Sequence, residues 1–332
     1  MADRVVIVGL RRGGQLIPAS ELRQMMGRAG RNHENMGVVE VIVDDKDEDV
    51  ILDMLDEGST TVTSSLADPD MLAMSLIPEI HKGKVSDKDS ARDWCDRSFC
   101  PEPPLNKALT LLKEVEAIRI ENGRLEATVI GACAAKFYFH PADVFAWHHN
   151  FSRIFELGLE DDEVAPAWAL GNVPFDRVIG DLRDRRHIAT DCKNRLPFGL
   201  TIMDGSVINV VSWWYLIGGP SPGSIRPACL ERRKNFGRFH AALSMLNKYS
   251  NWKMDDFFDE LVLRVKKGLP PYLVPLCKFD GMTKGRADYL YSMGVQCGKD
   301  FASIGNKLDE DIDDDFKETI ERITRECSGE GS

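Results

Sequence analysis

The sequence predicts a short α/β segment followed by a longer, mostly helical chain, and three observations carry that expectation. Two β-branched apolar runs, at residues 5–8 and 38–43, flank a helix-forming stretch near the N-terminus. Short runs of this kind are typical of buried parallel strands. Downstream, apolar residues recur at helical spacing, as in Leu72, Leu76, Ile77 and Ile80. One hairpin signal interrupts them, where Asn122-Gly123 separates Ile118-Arg119-Ile120-Glu121 from Arg124-Leu125-Glu126-Ala127-Thr128. Asn-Gly accepts positive φ at both turn positions.

The whole chain sets bounds. Its 332 residues allow two or more domains. No apolar run approaches the ~20 residues of a membrane span. Met1-Ala2-Asp3-Arg4 does not open a basic region followed by an apolar core, so no secretion signal is expected and a cytoplasmic protein is. A net charge of -11 does not suit nonspecific coating of nucleic acid, although a local basic channel remains compatible with it. The eight cysteines include no CxxC pair, and Cys95 and Cys100 lie far from His148-His149. Reduced thiols and no metal site are therefore expected.

Residues 1–45 read as strand, loop, helix, strand. Two parallel strands leave large uncovered edges, so this segment is expected to be the end of a larger α/β domain whose beginning is absent from the sequence. Between the strands lies Gln24-Met25-Met26-Gly27-Arg28-Ala29-Gly30-Arg31. Arginines three apart place two guanidinium groups on one side of a helical turn, and the small residues between them keep bulk away. Such forks grip phosphate oxygens bidentately and stabilise charge developing in phosphoryl transfer. The plainer reading is a basic helix start with two solvated arginines. No GxxxxGK[ST] phosphate loop occurs in the sequence. Asp161-Asp162-Glu163 follows no apolar strand and reads as a solvated charge run. No ATPase is expected from this chain alone.

From about residue 64 to residue 141 the pattern is that of a winged helix. A helix is expected to end at Gly83, Ser86-Asp87 to cap the next one, and Leu105, Ala108, Leu109, Leu111 and Leu112 to form an apolar face before the hairpin. Residues 150–265 read as helical, broken near residues 171–174 and 218–223. In the helix after the second break, Arg226, Arg232, Arg233, Lys234 and Arg238 interleave with Phe236, Phe239 and His240. Basic residues beside aromatics can hold phosphates while bases stack; alternatively the rings are core and the arginines solvated. Residues 273–295 read as a helix-hairpin-helix, whose amides can face a phosphate. Lys284 and Arg286 follow its turn, and Thr283 stands where a second glycine would allow closer approach. The tail after Leu308 is too acidic to touch DNA, and reads as solvated, partner-binding or DNA-mimicking.

The octet QMMGRAGR resembles motif VI of superfamily 2 helicases, and its GRAGR spelling that of the superkiller-like (Ski-type) branch, most closely the archaeal-type DNA repair helicases. Residues 5–8 and 37–43 resemble the strands after motifs V and VI. Ala127-Thr128-Val129-Ile130-Gly131, Tyr138-Phe139-His140-Pro141 and the Arg264-to-Gly268 turn continue the resemblance weakly to about residue 305.

The resemblance implies an α/β fragment followed by mostly α structure. Residues 1–50 would end the second RecA-like domain, with a winged helix at 51–148, a helical ratchet domain at 149–265, a helix-hairpin-helix at 266–305 and an acidic tail at 306–332. It implies that Arg28 and Arg31 are the catalytic pair at the γ-phosphate, with Gln24 and Gly27 in the nucleotide site. Arg232, Arg233 and Phe239 would hold DNA on the ratchet helix, where the family commonly has tryptophan at the aromatic, and Lys284 and Arg286 would hold it at the hairpin. ATP and Mg2+ would bind only together with the missing motor half. The implied function is the C-terminal part of an ATP-dependent 3′–5′ DNA helicase acting on single-stranded or forked DNA. A partner polypeptide would carry the first RecA-like domain. The alternative is a non-enzymatic single-stranded or branched DNA-binding adaptor derived from a helicase.

Overall fold

The computed structural model describes residues 3–12, 15–30, 37–56, 64–304 and 312–327. The chain is mostly helical with a small N-terminal α/β part, and divides into two compact units, residues 1–64 and 65–332.

In the first unit, β1 (Arg4–Val8) leads through the two-residue strands β2 (Arg11–Arg12) and β3 (Gln15–Leu16) to α1 (Ala19–Met26), then to β4 (Val38–Ile42) and α2 (Glu48–Asp56). β1 and β4 pair in parallel, from Arg4 opposite Val38 to Val8 opposite Ile42. Ile7, Leu10, Ile17, Leu22 and Ile51 form a small core. Arg11 meets Asp47 through Nε–Oδ2 and Nη2–Oδ1 bonds of 3.0 and 2.6 Å. The strands are not buried on both faces as the β-branched runs suggest. Side chains alternate across a strand, and Val6, Val8, Val38 and Ile42 all stand exposed. The reason is that β1 and β4 pair with no further strand among the described residues.

The second unit opens with α3 (Pro69–His81), started by Asp68, whose carboxylate accepts from the amides of Asp70 and Met71. α4 (Lys88–Asp96) begins with a reciprocal Asp87–Ser90 capping box, and α5 (Leu105–Glu114) follows. The hairpin of β5 (Ile118–Glu121) and β6 (Arg124–Ala127) forms in the expected register, with Glu121 opposite Arg124. Asn122 and Gly123 take φ values of 50° and 79°, the left-handed pair that a two-residue turn requires. Thr128 then caps α6 (Val129–Phe137).

Next come α7 (Pro141–Glu156), α8 (Ala165–Gly171), α9 (Arg186–Arg195), α10 (Val207–Leu216), the 25-residue α11 (Arg226–Ser250) and α12 (Asp255–Lys267). One continuous core joins all of these helices from α3 onward, and α11 packs against α6, α10 and α12. The acidic run before α8 is not simply solvated: Asp162 accepts from the amides of Val164 and Ala165, and Glu163 pairs with Arg195 at 2.9 Å.

A second core gathers α13 (Val274–Cys277), α14 (Lys284–Ser292) and α15 (Asp314–Cys327). Part of the acidic tail is therefore a packed helix. Phe316, Ile320 and Ile323 fall on one face of α15 and enter this core with Leu273, Leu276 and Leu290. Asp309, Glu310 and Asp311 lie outside the described residues. No helix among the described residues is long and apolar enough to cross a membrane.

Candidate nucleic-acid interface

The phosphate-binding candidates of the first unit sit where α1 ends. Gly27 caps the helix through its amide to the Arg23 carbonyl at 2.8 Å. The chain then turns through Arg28 N–H to Met25 and Ala29 N–H to Met26 carbonyls, both at 3.1 Å. Arg28 is therefore in a turn beyond the helix and not on a helical face, because the glycine ends the helix one residue earlier. Gln24, Gly27 and Arg28 are exposed together around this end. Arg31 lies outside the described residues. A Cβ on Gly37 would stand 2.3 Å from the amide nitrogen of Gly30. The two glycines thus bring backbone against backbone on either side of residues 31–36.

On α11, Arg232 and Phe239 share a face as their spacing requires, but that face points inward. Arg232 is 9% exposed. Its Nη1 donates to Ser212 Oγ at 2.7 Å, and its Nη2 donates to both the carbonyl and a carboxylate oxygen of Asp176 at 2.8 Å. The guanidinium also lies 5.2 Å from the Trp213 ring. Burial lowers its pKa, with Asp176 opposing that shift. Phe239 is 2% exposed, its ring 4.8 Å from Phe139, 5.4 Å from Trp147 and 5.0 Å from Trp213. Both side chains expected to meet DNA are thus turned into the core, Arg232 onto Ser212 and Asp176 and Phe239 among three aromatic rings.

Lys234 and Arg238, one helical turn apart, are instead exposed. Arg238 covers the Phe139 ring at 4.3 Å. Arg233 is half-buried, and its Nη2 would meet a Cβ on Gly268 at 3.2 Å.

Beneath α11, Asp143 of α7 is almost wholly buried and accepts from the amides of Phe175 and Asp176, both at 2.8 Å. Burial pushes its carboxyl pKa up to about 7, with the Asp176 charge adding and the two amides and Arg232 opposing. Asp143, Asp176, Arg232 and Ser212 thus tie α7, the segment after α8, α10 and α11 into one polar joint. No spacing in the sequence announces it, since its members lie 20 to 56 residues from Arg232 or contact one another only through backbone.

A second feature absent from the sequence reading is Phe198, fully exposed between Pro197 and Gly199 just after the basic end of α9 (Lys193, Arg195). Arg153 Nη2 lies 3.8 Å from where a Gly199 Cβ would be. The available signal was an aromatic held at a Pro-Phe-Gly turn.

At the hairpin between α13 and α14, Thr283 caps α14 by accepting from the Arg286 amide at 3.3 Å. Lys284 stands half-exposed, 3.6 Å from Asp288. Arg286 is satisfied inside the chain. Its Nη1 donates to the Gly281 carbonyl at 3.0 Å, its Nη2 to Asp313 and Asp315 at 3.0 and 2.7 Å, and its guanidinium lies 4.9 Å from the Phe316 ring. No group of three His, Cys, Asp or Glu positioned to hold a metal occurs among the described residues.

No protein-family profile matches the chain. The chain is, however, a distant relative of a DNA helicase. It is 22% identical over 326 residues to the ATP-dependent DNA helicase Hel308 of Pyrococcus abyssi (strain GE5 / Orsay), a similarity covering 89% of this chain and 44% of the helicase. The chain thus spans less than half the length of that relative.

Proposed function

We propose that these residues act as the DNA-holding C-terminal part of a superkiller-like 3′–5′ DNA helicase. The observation that supports this best is the reach of the similarity, which covers more of the chain than residues 65–332 make up by themselves. The octet at residues 24–31 adds to it. In this reading Arg28 and Arg31 meet the γ-phosphate, beside Gln24 and Gly27. Helices α3 to α6 with the β5–β6 hairpin are a winged helix, α7 to α12 a ratchet domain, and α13–α14 a helix-hairpin-helix. ATP and Mg2+ belong to the complete motor. Turnover requires a segment bearing the phosphate loop, which this sequence does not contain.

The burial of Arg232 and Phe239 refines the DNA path. These two fix α11, and the exposed Lys234 and Arg238 meet the phosphates of a single strand. Fluorescence anisotropy with a labelled single-stranded oligomer tests this. Lys234→Ala and Arg238→Ala should each weaken binding and reduce the salt slope by about one. Absence of binding by the unaltered chain refutes the reading. Reconstitution with a phosphate-loop half separates motor from adaptor: Arg28→Ala and Arg31→Ala abolish DNA-stimulated ATP turnover in the first case and change nothing in DNA binding in the second.

A further inference from the structure

Helix α15 lies directly over the α13–α14 hairpin. Thr319 Oγ1 would meet a Cβ on Gly281 at 3.0 Å, so the hairpin turn is covered by this helix. Arg322 donates to the carbonyl of Asp280, one residue before that glycine. Arg286, the guanidinium that follows the turn, has its side chain only 19% exposed and is held by Asp313 and Asp315. The two carboxylates set two anionic oxygens on Nη2 of this guanidinium, a group that also accepts phosphate oxygens. Phe316 lies against the same guanidinium, and with Ile320 and Ile323 it anchors the helix in the core. The anchoring and the acidic contact are therefore separable.

Asp313 and Asp315 are themselves 64% and 81% exposed. Ion pairs with such solvated partners contribute little and weaken with salt. A polyanion can compete for Arg286 without unfolding α15.

We propose that the acidic start of α15 is a built-in phosphate mimic that holds the hairpin arginine in an autoinhibited state, displaced when a DNA phosphate takes the place of Asp313 and Asp315. This rests on reading the hairpin as a DNA-contacting element. The contact makes hairpin engagement conditional: DNA already held by α11 supplies the local phosphate concentration that outcompetes two tethered carboxylates.

The test compares DNA binding by the full chain carrying Asp313→Asn/Asp315→Asn with that by Asp314→Asn/Glu318→Gln. Both pairs remove the same charge, but Arg286 pairs with Asp313 and Asp315, whereas Asp314 pairs with Lys317. Asparagine at 313 retains an acceptor for the Phe316 amide that Asp313 caps at 2.8 Å. Using a labelled single-stranded oligomer over a salt series, the first pair should bind several-fold tighter at low salt. Its dependence of log affinity on log salt should steepen by about one, as one added phosphate contact requires. The second pair should not show this change, and Arg286→Gln should erase the gain of the first.

Equal gains for both pairs, no gain for the first, or a gain that survives Arg286→Gln overturns the mimic while leaving DNA binding by the chain intact. Failure of every chain, unaltered included, to bind DNA overturns the DNA reading of the hairpin and the mimic with it.

Discussion

Arg232 and Asp176 form a nearly buried ion pair at 2.8 Å, reinforced by a second bond from the same guanidinium nitrogen to the Asp176 backbone carbonyl. The arginine lies on α11 and the aspartate in the segment after α8, so the pair positions the long helix against the rest of the core. Its removal is a matter of stability before it is one of ligand binding.

Arg232→Ala should cost about 3–5 kcal/mol, because it leaves the Asp176 charge without its partner and Ser212 Oγ with only the Asn209 carbonyl. Arg232→Lys should recover little of this, since an ammonium cannot reproduce the fork that reaches Ser212 and Asp176 together. Urea denaturation followed by tryptophan fluorescence measures both; a loss under about 1 kcal/mol for the alanine variant would contradict the assignment.

Phe239→Ala should destabilise by about 3–5 kcal/mol through the cavity it leaves among Phe139, Trp147 and Trp213. Phe239→Leu should lose less and keep its affinity for single-stranded DNA. An affinity drop in the folded leucine variant would show that the ring reaches a base after all.

Phe198→Ala should behave in the opposite way. The ring is fully exposed, so the denaturation midpoint should not move. If Phe198 stacks on a nucleobase beside Lys193 and Arg153, single-strand affinity should fall by about 1–3 kcal/mol. Unchanged affinity would remove this ring from the DNA path.

Asp143 gives a pH dependence with a defined sign. Its folded pKa of about 7 exceeds the ordinary carboxyl value of 3.8. Between those values the native state therefore holds a proton that the unfolded chain has released. Stability from this group consequently decreases as pH rises from about 4 to about 7, by at most about 1.4 kcal/mol per unit, and levels off above. Asp143→Asn should remove that slope, so the difference between the two stability profiles should grow over this window. Parallel profiles would place the Asp143 pKa near its unfolded value.

Gly37→Ala should disturb the end of the octet, since its Cβ would fall 2.3 Å from the Gly30 amide nitrogen. Backbone must move to admit it. The Val38 amide, which donates to the Asp3 carbonyl at 2.9 Å, should then exchange its hydrogen faster. Unchanged exchange would mean that the two segments separate at no cost.

What was legible in the sequence was local. Asn122-Gly123 specified its turn, Asp87 its helix start and Gly83 its helix end, because each acts on residues within a few positions, whereas the helix end at Gly27 was not foreseen. The orientation of α11 was not legible. Alternating arginine and phenylalanine shows which residues share a face, whereas Asp176 and Ser212, 56 and 20 residues away, determine that Arg232 faces inward. The acidic tail misled in the other direction. Its charges suggested solvation, while the spacing of Phe316, Ile320 and Ile323 already described a helix with one apolar side. The two N-terminal strands were legible as strands, but the number of neighbours they have was not.

That ribbon has a consequence for handling the protein. Arg4, Val6 and Val8 share one side of the sheet with Val38, Glu40 and Ile42, and an Arg4–Glu40 ion pair crosses between the strands among the valines. A sticky face beside strand edges that are unpaired among the described residues invites other strands to join. The Arg4–Glu40 pair acts as its gatekeeper. High salt weakens this guard while strengthening apolar adhesion. Concentrated stocks of the chain should therefore cloud first in kosmotropic salt, and Val8→Lys should keep them clear.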